Sequence, residues 1–241
     1  SFSLKNTYRV NSILYSLRQI PLLKSLLPAA LYQVRGLKIF ANVLSLLWEL
    51  VSIFLFKALY FLAMVWGLGL LYQNVPSPLS FLHILLFLTL IGSYMNTSLF
   101  VPTRDKYYAM ILLRMNARSY TLVHYGYALL KTVVGFLPFT LLLGLERGVP
   151  LWLCLLLPFC VAGAKLSVAA YSLRDYEKKG SVHKENKLQK LVWLLTGVLL
   201  VLAYLPPALG FVLPLAVSAG LFLIWIPAGL VGLRQVVNFR Y

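Results

Sequence analysis

The stretch SFLHILLFLTLIGSYMNTSLFVPTRDKYYAMILLRMNAR, residues 80–118, places two kinds of sequence side by side. Residues 80–101 contain no acidic residue, lysine or arginine, and a helix of about that length would cross a lipid bilayer. Residues 103–118 are charged, yet their apolar residues keep a helical spacing. The stretch therefore predicts a membrane-spanning helix that is followed by a short helix outside the bilayer.

The composition extends this interpretation to the whole chain. Of its 241 residues, 61% are hydrophobic and only 12% are charged, and the mean hydropathy is +0.83. Soluble globular domains are nearer half apolar and about a quarter charged. So large an apolar fraction cannot be hidden in one core, which indicates a polytopic membrane protein.

Six stretches are long and apolar enough to span a membrane, and polar or breaker-rich segments separate them. We expect an all-α bundle of six transmembrane helices over 44–233, within a single domain that comprises residues 1–241. Pro206 and Pro207 predict a turn at 205–210 and a kinked or partly re-entrant last pair of helices. The predicted spans are 44–72, 80–101, 120–145, 151–171, 189–205 and 208–233.

The lysines and arginines orient these spans. Eighteen of the 22 fall on one side of the predicted topology, and Arg147 alone falls on the other. The positive-inside rule therefore places both termini in the cytoplasm of a multi-pass cell-membrane protein. The net charge of +16 then reflects topology and contacts with anionic membrane lipids, and needs no nucleic-acid partner. The eighteen are Lys5, Arg9, Arg18, Lys24, Arg35, Lys38, Arg104, Lys106, Arg114, Arg118, Arg174, Lys178, Lys179, Lys184, Lys187, Lys190, Arg234 and Arg240.

Segment 1–40 alternates basic and apolar residues, as in LKNTYRVNSILYSLRQIPLLKSLLP. Leu4, Tyr8 and Leu17 approximate one face of a helix, which would lie in the headgroup plane with that face toward the acyl chains. We expect an N-terminal interfacial elbow helix, broken into short pieces by its prolines. The alternative is a positive anchor that only orients the first span.

Segment 103–118 is expected to be an amphipathic helix on the cytoplasmic face. Tyr107, Ile111, Arg114 and Arg118 follow one stripe of such a helix, with two guanidinium groups one turn apart. A helix of this kind docks into the groove of a partner protein, or it lies on lipid and only connects two spans. The pattern alone leaves both interpretations open.

These features together resemble the membrane subunit of bacterial ABC-type exporters: an N-terminal amphipathic elbow, six spans, both termini inside and a short helix between spans two and three. The stretch LKNTYRVNSILYSLRQIPLLKSLL is similar to the start of permeases in this group. The resemblance covers the whole chain as an architecture. It implies that 103–118 is a coupling helix in a cleft of a separate cytoplasmic ATPase subunit, which Tyr107, Tyr108, Arg114 and Arg118 would contact.

The resemblance also implies how the work is divided between chains. ATP and Mg would be held by the partner ATPase subunit, and this chain would bind no cofactor. Some permeases of this group carry two six-helix halves in one chain, whereas this chain carries one. We therefore expect a second permease half or a homodimer partner. Because the chain begins with Ser rather than Met, a trimmed or partial chain is a further expectation.

The sequence offers no enzymatic motif to set against this interpretation. It contains neither G-x-x-x-x-G-K-[ST] nor H-E-x-x-H, so ATP would have to be hydrolysed by a partner. His83 and His124 are far apart in sequence, and we interpret them as hydrogen bonders near helix ends. A metal-dependent lipid-modifying enzyme would need clustered carboxylates, for which Asp175 and Glu177 are the nearest approach. We predict no catalytic residue and no metal site.

Three lysines lie inside predicted spans, and two of them, Lys57 and Lys131, are the candidates for a substrate path. A charge at the bilayer centre costs about 2.5–3.5 kcal/mol on insertion scales, so each should face protein or water. Lys165 is expected to snorkel to the inner end of its span. Lys57 and Lys131 are expected deeper, where they could attract an anionic substrate group. The alternative is a structural hydrogen bond from each lysine to a neighbouring helix.

Two features of the fourth span concern packing. Cys154 and Cys160 match neither a metal pattern nor a disulfide framework, and we expect buried packing residues. Ala162, Gly163 and Ala164 allow another helix to approach closely. That helix could belong to the same chain or to a second copy.

We therefore predict the permease component of an ATP-driven ABC transporter, an exporter, which couples ATP hydrolysis on a partner to substrate movement. Two alternatives stay open: the six-helix substrate-binding membrane subunit of an energy-coupled importer, and a membrane-embedded lipid-modifying enzyme. A soluble ATPase bound directly through 103–118 would favour the exporter, and a stably bound small nutrient would favour the importer. A metal-dependent activity that needs Asp175 or Glu177 would favour the enzyme.

Overall fold

The structure is a computed structural model, and it describes residues 35–67, 76–96, 99, 104–112, 114–180 and 186–240. Within these ranges the chain is helical and forms no strand. The helices are α1 (Arg35–Tyr60), continued by the π-helical segment Phe61–Gly67; α2 (Ser77–Met95); α3 (Arg104–Tyr107), continued by the π-helical segment Tyr108–Leu112; α4 (Ala117–Glu146); α5 (Leu151–Lys179); α6 (Asn186–Ala208); and α7 (Leu215–Asn238).

Six helices of the described part are long and apolar enough to cross a membrane, which confirms the predicted all-α class and number of spans. The protein is therefore a multi-pass membrane protein. The six apolar stretches are Ile39–Ala63, Ser77–Met95, Ala117–Glu146, Leu151–Lys179, Leu191–Ala208 and Leu215–Asn238.

Several helix ends differ from the predicted bounds. The helix of the fourth span continues through the polar segment to Lys179, because Asp175 and Lys179 pair across one turn at 2.6 Å. It ends where Gly180 takes the left-handed conformation (φ 64°) and its N–H bonds to the carbonyl of Tyr176. The predicted turn at 205–210 also begins late, since α6 runs through both prolines to Ala208.

The expected elbow helix falls mostly outside the described residues. Its last part, residues 35–40, is described and forms the first turns of α1. The first span therefore begins in a helix that starts at Arg35, rather than at residue 44.

The contacts between residues divide the chain into two compact units. The first comprises Ser1–Leu55 and Pro102–His124. In this unit α1 buries Ala41, Ser45 and Glu49, which recur every four residues and so lie on one face of the helix. The bulky apolar residues between them, such as Trp48, are exposed, as expected of a helix that faces lipid on most sides.

The second unit comprises Phe56–Val101 and Tyr125–Tyr241 and is organised around α2. This helix packs against α5, α6 and α7, and it is buried around most of its circumference. It can be buried in this way because it carries no acidic residue, lysine or arginine. Its neighbours complete an apolar core that includes Phe61, Leu85, Leu157 and Phe222.

Helices α5 and α7 pack along each other at very close range. A Cβ atom added at Gly163, Gly229 or Gly232 would overlap the backbone of the facing helix. Gly163 of the fourth span therefore faces α7 of the same chain, which is one of the two predicted arrangements. Cys154 and Cys160 are both buried and form no disulfide, which confirms them as packing residues.

Candidate functional site

The segment between the second and third spans was predicted as one helix over 103–118, and this prediction is wrong in its second half. Helical structure ends at Leu112, and Arg114 takes a left-handed conformation with φ 48°. The side-chain oxygen of Asn116 then accepts hydrogen bonds from the backbone N–H groups of Arg118 (3.0 Å) and Ser119 (3.2 Å). This arrangement is an N-cap, so Asn116 starts α4 rather than continuing the preceding helix.

The break redistributes the predicted contact residues. Tyr107 and Arg114 lie before the cap, whereas Arg118 belongs to the first turn of α4. The predicted helical stripe that joins Tyr107 to Arg118 therefore does not form. The backbone of Tyr108 opens the π-helical segment, and its side chain lies outside the part of the chain that the structure describes.

The segment nevertheless has two distinct sides. Lys106 and Ala109 are buried and anchor it, whereas the side chains of Tyr107 and Ile111 are 56% and 62% exposed. Arg114 and the neighbouring Arg118 are exposed as well. The described surface of residues 104–118 thus presents an aromatic ring, an aliphatic side chain and two guanidinium groups. We call these four residues (Tyr107, Ile111, Arg114 and Arg118) the exposed face of the segment.

Lys57 lies at an aromatic cluster within the second unit. Its Nζ is 4.6 Å from the centre of the Phe136 ring, a cation–π geometry. Phe61 contacts the same Phe136 ring edge-on at 5.3 Å, and Tyr60 lies 5.9 Å from it. An ammonium can therefore be held here against ring faces, with its charge still available to an anion.

A third lysine of the second unit, Lys165 of α5, also lies inside a membrane-spanning helix. Lys165 sits midway along α5, about 21 Å from either end of the helix. Its carbonyl accepts a hydrogen bond from the hydroxyl of Tyr125 at 3.0 Å, which fixes α4 to α5 at that level. Lys131 instead lies over the ring of Tyr127, one turn away on its own helix, at 5.1 Å.

Lys165 could be recognised in the sequence as a lysine within the fourth span, but its depth in that span depends on where the helix ends. With the span ending at residue 171, Lys165 was expected to snorkel; the observed helix runs eight residues further. Which lysines lie together depends on helix packing, and spacing along the chain does not determine it. Its position midway along α5 makes Lys165 a third intramembrane lysine beside the predicted candidates Lys57 and Lys131.

His83 makes a specific hydrogen bond between two helices. Its Nε2 lies 2.9 Å from the carbonyl oxygen of Leu202 on α6, and since a carbonyl only accepts, Nε2 carries the proton. The residue four positions on from Leu202 is Pro206, which has no N–H to fill that carbonyl. His83 is therefore a hydrogen bonder, as predicted, and its partner is a backbone group that a proline leaves open.

The remaining polar candidates do not converge. His124 stacks on the ring of Tyr120 at 5.7 Å, and His183 lies outside the described residues. Asp175 pairs with Lys179, and Glu177 is exposed about 200° further around the helix. Among the residues that the structure describes, no three His, Cys, Asp or Glu side chains are grouped as metal ligands would be.

Comparison of the chain with protein-family models, with characterised proteins and with solved structures gives no match. The functional argument therefore rests on the chain's own residues: the exposed face between the second and third spans, and the lysines inside the membrane-spanning helices.

Proposed function

We propose that the chain is the permease component of an ATP-driven ABC-type transporter of the cell membrane, acting as an exporter. The observation that carries the proposal is the two-sided segment 104–118. Its buried side anchors a short helical piece to the protein, and its exposed face offers the side chains that protein interfaces favour, an aromatic ring and arginines. A segment that only connected two spans would need neither the buried anchor nor the exposed interface residues.

The partner in this proposal is a cytoplasmic ATPase subunit that receives the exposed face in a groove. Tyr107, Tyr108, Arg114 and Arg118 are its proposed contacts. ATP and Mg²⁺ belong to that subunit, because this chain has no phosphate-binding loop of the Walker type. The remaining partner is a second permease half or a second copy of the chain, so that two ATPase subunits can close against each other.

The capped start of α4 supports a mechanical role for this contact. Arg118 lies in the first turn of α4, and the Asn116 cap stiffens that turn. The helix is 30 residues long, about 45 Å, and Pro138 interrupts its hydrogen bonding only beyond Lys131, so a tilt imposed at its first turn would be carried along the continuous helix as far as Lys131. Lys131 lies midway along the same helix. Movement of the ATPase would in this way change access to the intramembrane lysines.

The substrate class follows from those lysines. Lys57, Lys131 and Lys165 bring positive charge into spans where an uncompensated charge is costly. Among the described residues, neither Lys57 nor Lys165 forms an ion pair with a carboxylate. An anionic or amphipathic substrate with an acidic group would compensate these positive charges as it passes. We therefore assign the path around Lys57 and Lys165, with Lys131 on the moving helix, to an anionic substrate.

The test is copurification from the native membrane in mild detergent, followed by mass spectrometry. The variant Arg114→Glu/Arg118→Glu reverses two charges of the exposed face. It should still fold, since a carboxylate in the first turn of α4 is favourable at a helix N-terminus. The matched control Lys178→Glu/Arg240→Glu reverses two exposed charges elsewhere in the described chain.

An ATPase that copurifies with the wild type and with the control, but not with the Arg114/Arg118 variant, is the expected result. If no ATPase appears with the wild type, the proposal fails. If a small anionic solute is then found bound to the purified chain, the substrate-binding subunit of an importer replaces the exporter as the proposed function. No contact among the described residues favours the lipid-modifying enzyme, since Asp175 is already paired with Lys179.

A further inference from the structure

A cleft lies in the second unit, between the last turns of α5 and α7. Its volume is about 260 Å³. On the topology that the lysine and arginine distribution predicts, both helix ends lie at the inner membrane surface. The lining residues are Ala170, Leu173, Arg174 and Glu177 from α5, Arg234, Gln235 and Asn238 from α7, and Phe239.

The position of the cleft follows from the packing of the two helices. Gly229 and Gly232 bring the backbone of α7 against that of α5. Directly after this close contact, long polar side chains replace the glycines, beginning with Arg234. The cleft is therefore built on the most tightly packed helix pair of the second unit, and its two walls are held at a fixed separation.

The floor of the cleft is apolar and its rim is polar. Leu173, Ala170 and Phe239 are buried beneath it, and the ring of Phe239 is held by an edge contact with Tyr176 at 6.2 Å. Arg174 and Asn238 are exposed at the rim. This order, from apolar to polar, matches the order of groups in a phospholipid from its acyl chains to its headgroup.

The rim presents hydrogen-bond donors that the protein does not use. The side chains of Arg174, Arg234, Gln235 and Asn238 form no hydrogen bond or ion pair with any described residue. Two guanidinium groups can each give paired N–H donors to a phosphate, and the two amides add further donors. The one carboxylate in the lining, Glu177, is an acceptor of the kind a headgroup hydroxyl needs.

We propose that this cleft binds the phosphodiester headgroup of an anionic phospholipid from the inner leaflet. Two arginines and one glutamate give the lining a net charge of +1, which one phosphodiester with its single negative charge neutralises. A zwitterionic headgroup would leave that positive charge uncompensated. Basic clefts between membrane helices at this surface recognise anionic headgroups by the same chemistry. The proposal does not depend on the ATPase partner.

The test is native mass spectrometry of the full chain in neutral detergent, titrated with phosphatidylglycerol or with phosphatidylcholine. The wild type should bind one phosphatidylglycerol much more tightly than phosphatidylcholine. The variant Arg174→Gln/Arg234→Gln should bind phosphatidylglycerol about ten- to thirtyfold more weakly, as expected for the loss of two basic contacts. The control Lys178→Gln/Arg240→Gln removes two nearby charges outside the lining and should weaken binding less than about threefold.

Two further arms keep the outcome decisive. The variant Arg174→Lys/Arg234→Lys retains the charge but loses the paired donors, so its affinity for phosphatidylglycerol should lie between those of the wild type and the glutamine variant. If the glutamine variant does not fold, the weaker binding of the lysine variant relative to the wild type tests the proposal by itself. Inorganic phosphate and glycerol phosphate at millimolar concentration should not displace the lipid. The proposal is overturned if the lining variant Arg174→Gln/Arg234→Gln and the control Lys178→Gln/Arg240→Gln lose affinity equally, or if phosphatidylcholine binds as well as phosphatidylglycerol. It is also overturned if the soluble phosphates compete, since the cleft would then bind a free phosphate.

Discussion

Pro206 removes the N–H that would otherwise bind the Leu202 carbonyl within α6, and His83 of α2 supplies the missing donor. The sequence contains both halves of this arrangement, 123 positions apart. A proline pair near the end of a span predicts open carbonyls, and a lone histidine in another span predicts a donor that needs an acceptor. Only the packing of α2 against α6 shows that the two belong together.

This pairing predicts that the effect of changing His83 depends on residue 206. His83→Phe should lower the free energy of unfolding by about 1–2 kcal/mol, the upper range of hydrogen bonds between membrane helices. In a Pro206→Ala background the helix supplies its own N–H, so the same change should cost less than half as much. Denaturant unfolding of the two single variants and the double variant in detergent measures this coupling. An equal loss in both backgrounds would contradict it.

The individual helices show which features of the fold could be predicted. Apolar length alone predicts all six spans, because a helix that faces lipid must be apolar over about 20 residues wherever it packs. Helix ends could be predicted less well, because they depend on single side chains. The cap at Asn116 and the left-handed Gly180 were both present in the sequence as known start and stop signals. The helical spacing of 103–118 concealed the first signal, and the polar composition of 172–179 concealed the second.

The seam between α5 and α7 predicts a sharp difference between two glycine substitutions. Gly163→Ala should lower the free energy of unfolding by about 1–3 kcal/mol, because its methyl group would overlap the Trp225 carbonyl and force the helices apart.

The matched control for this prediction is Gly197→Ala on α6, where an added Cβ meets nothing within 4 Å. Alanine should leave stability there unchanged or raise it slightly, because it favours helix more than glycine does. Thermal unfolding in the same detergent compares the two variants. Equal behaviour of both would show that the seam is not as close as described.

At the scale of the whole molecule, charge has two separate meanings. Most of the net charge of +16 lies outside the spans, in the terminal segments and the connections together, where it predicts orientation. The three lysines inside the spans do not follow that rule, and for this reason two of them, Lys57 and Lys131, could be singled out as candidates from sequence alone. What each lysine contacts could not be predicted, because the Phe136 ring that lies against Lys57 belongs to another helix. The two candidates were thus accessible to sequence analysis, but their contacts were not.

The central claim is that a cytoplasmic ATPase contacts the exposed face of 104–118. A photo-crosslinking amino acid at Ile111, which is 62% exposed, tests it most directly in intact cells. The matched control is Tyr171 on α5, which is 63% exposed and lies outside the segment. The account predicts that irradiation joins residue 111, and not residue 171, to a protein with a Walker-type ATP-binding loop. Adducts of residue 111 with lipid alone, or the same adducts at both positions, would contradict it.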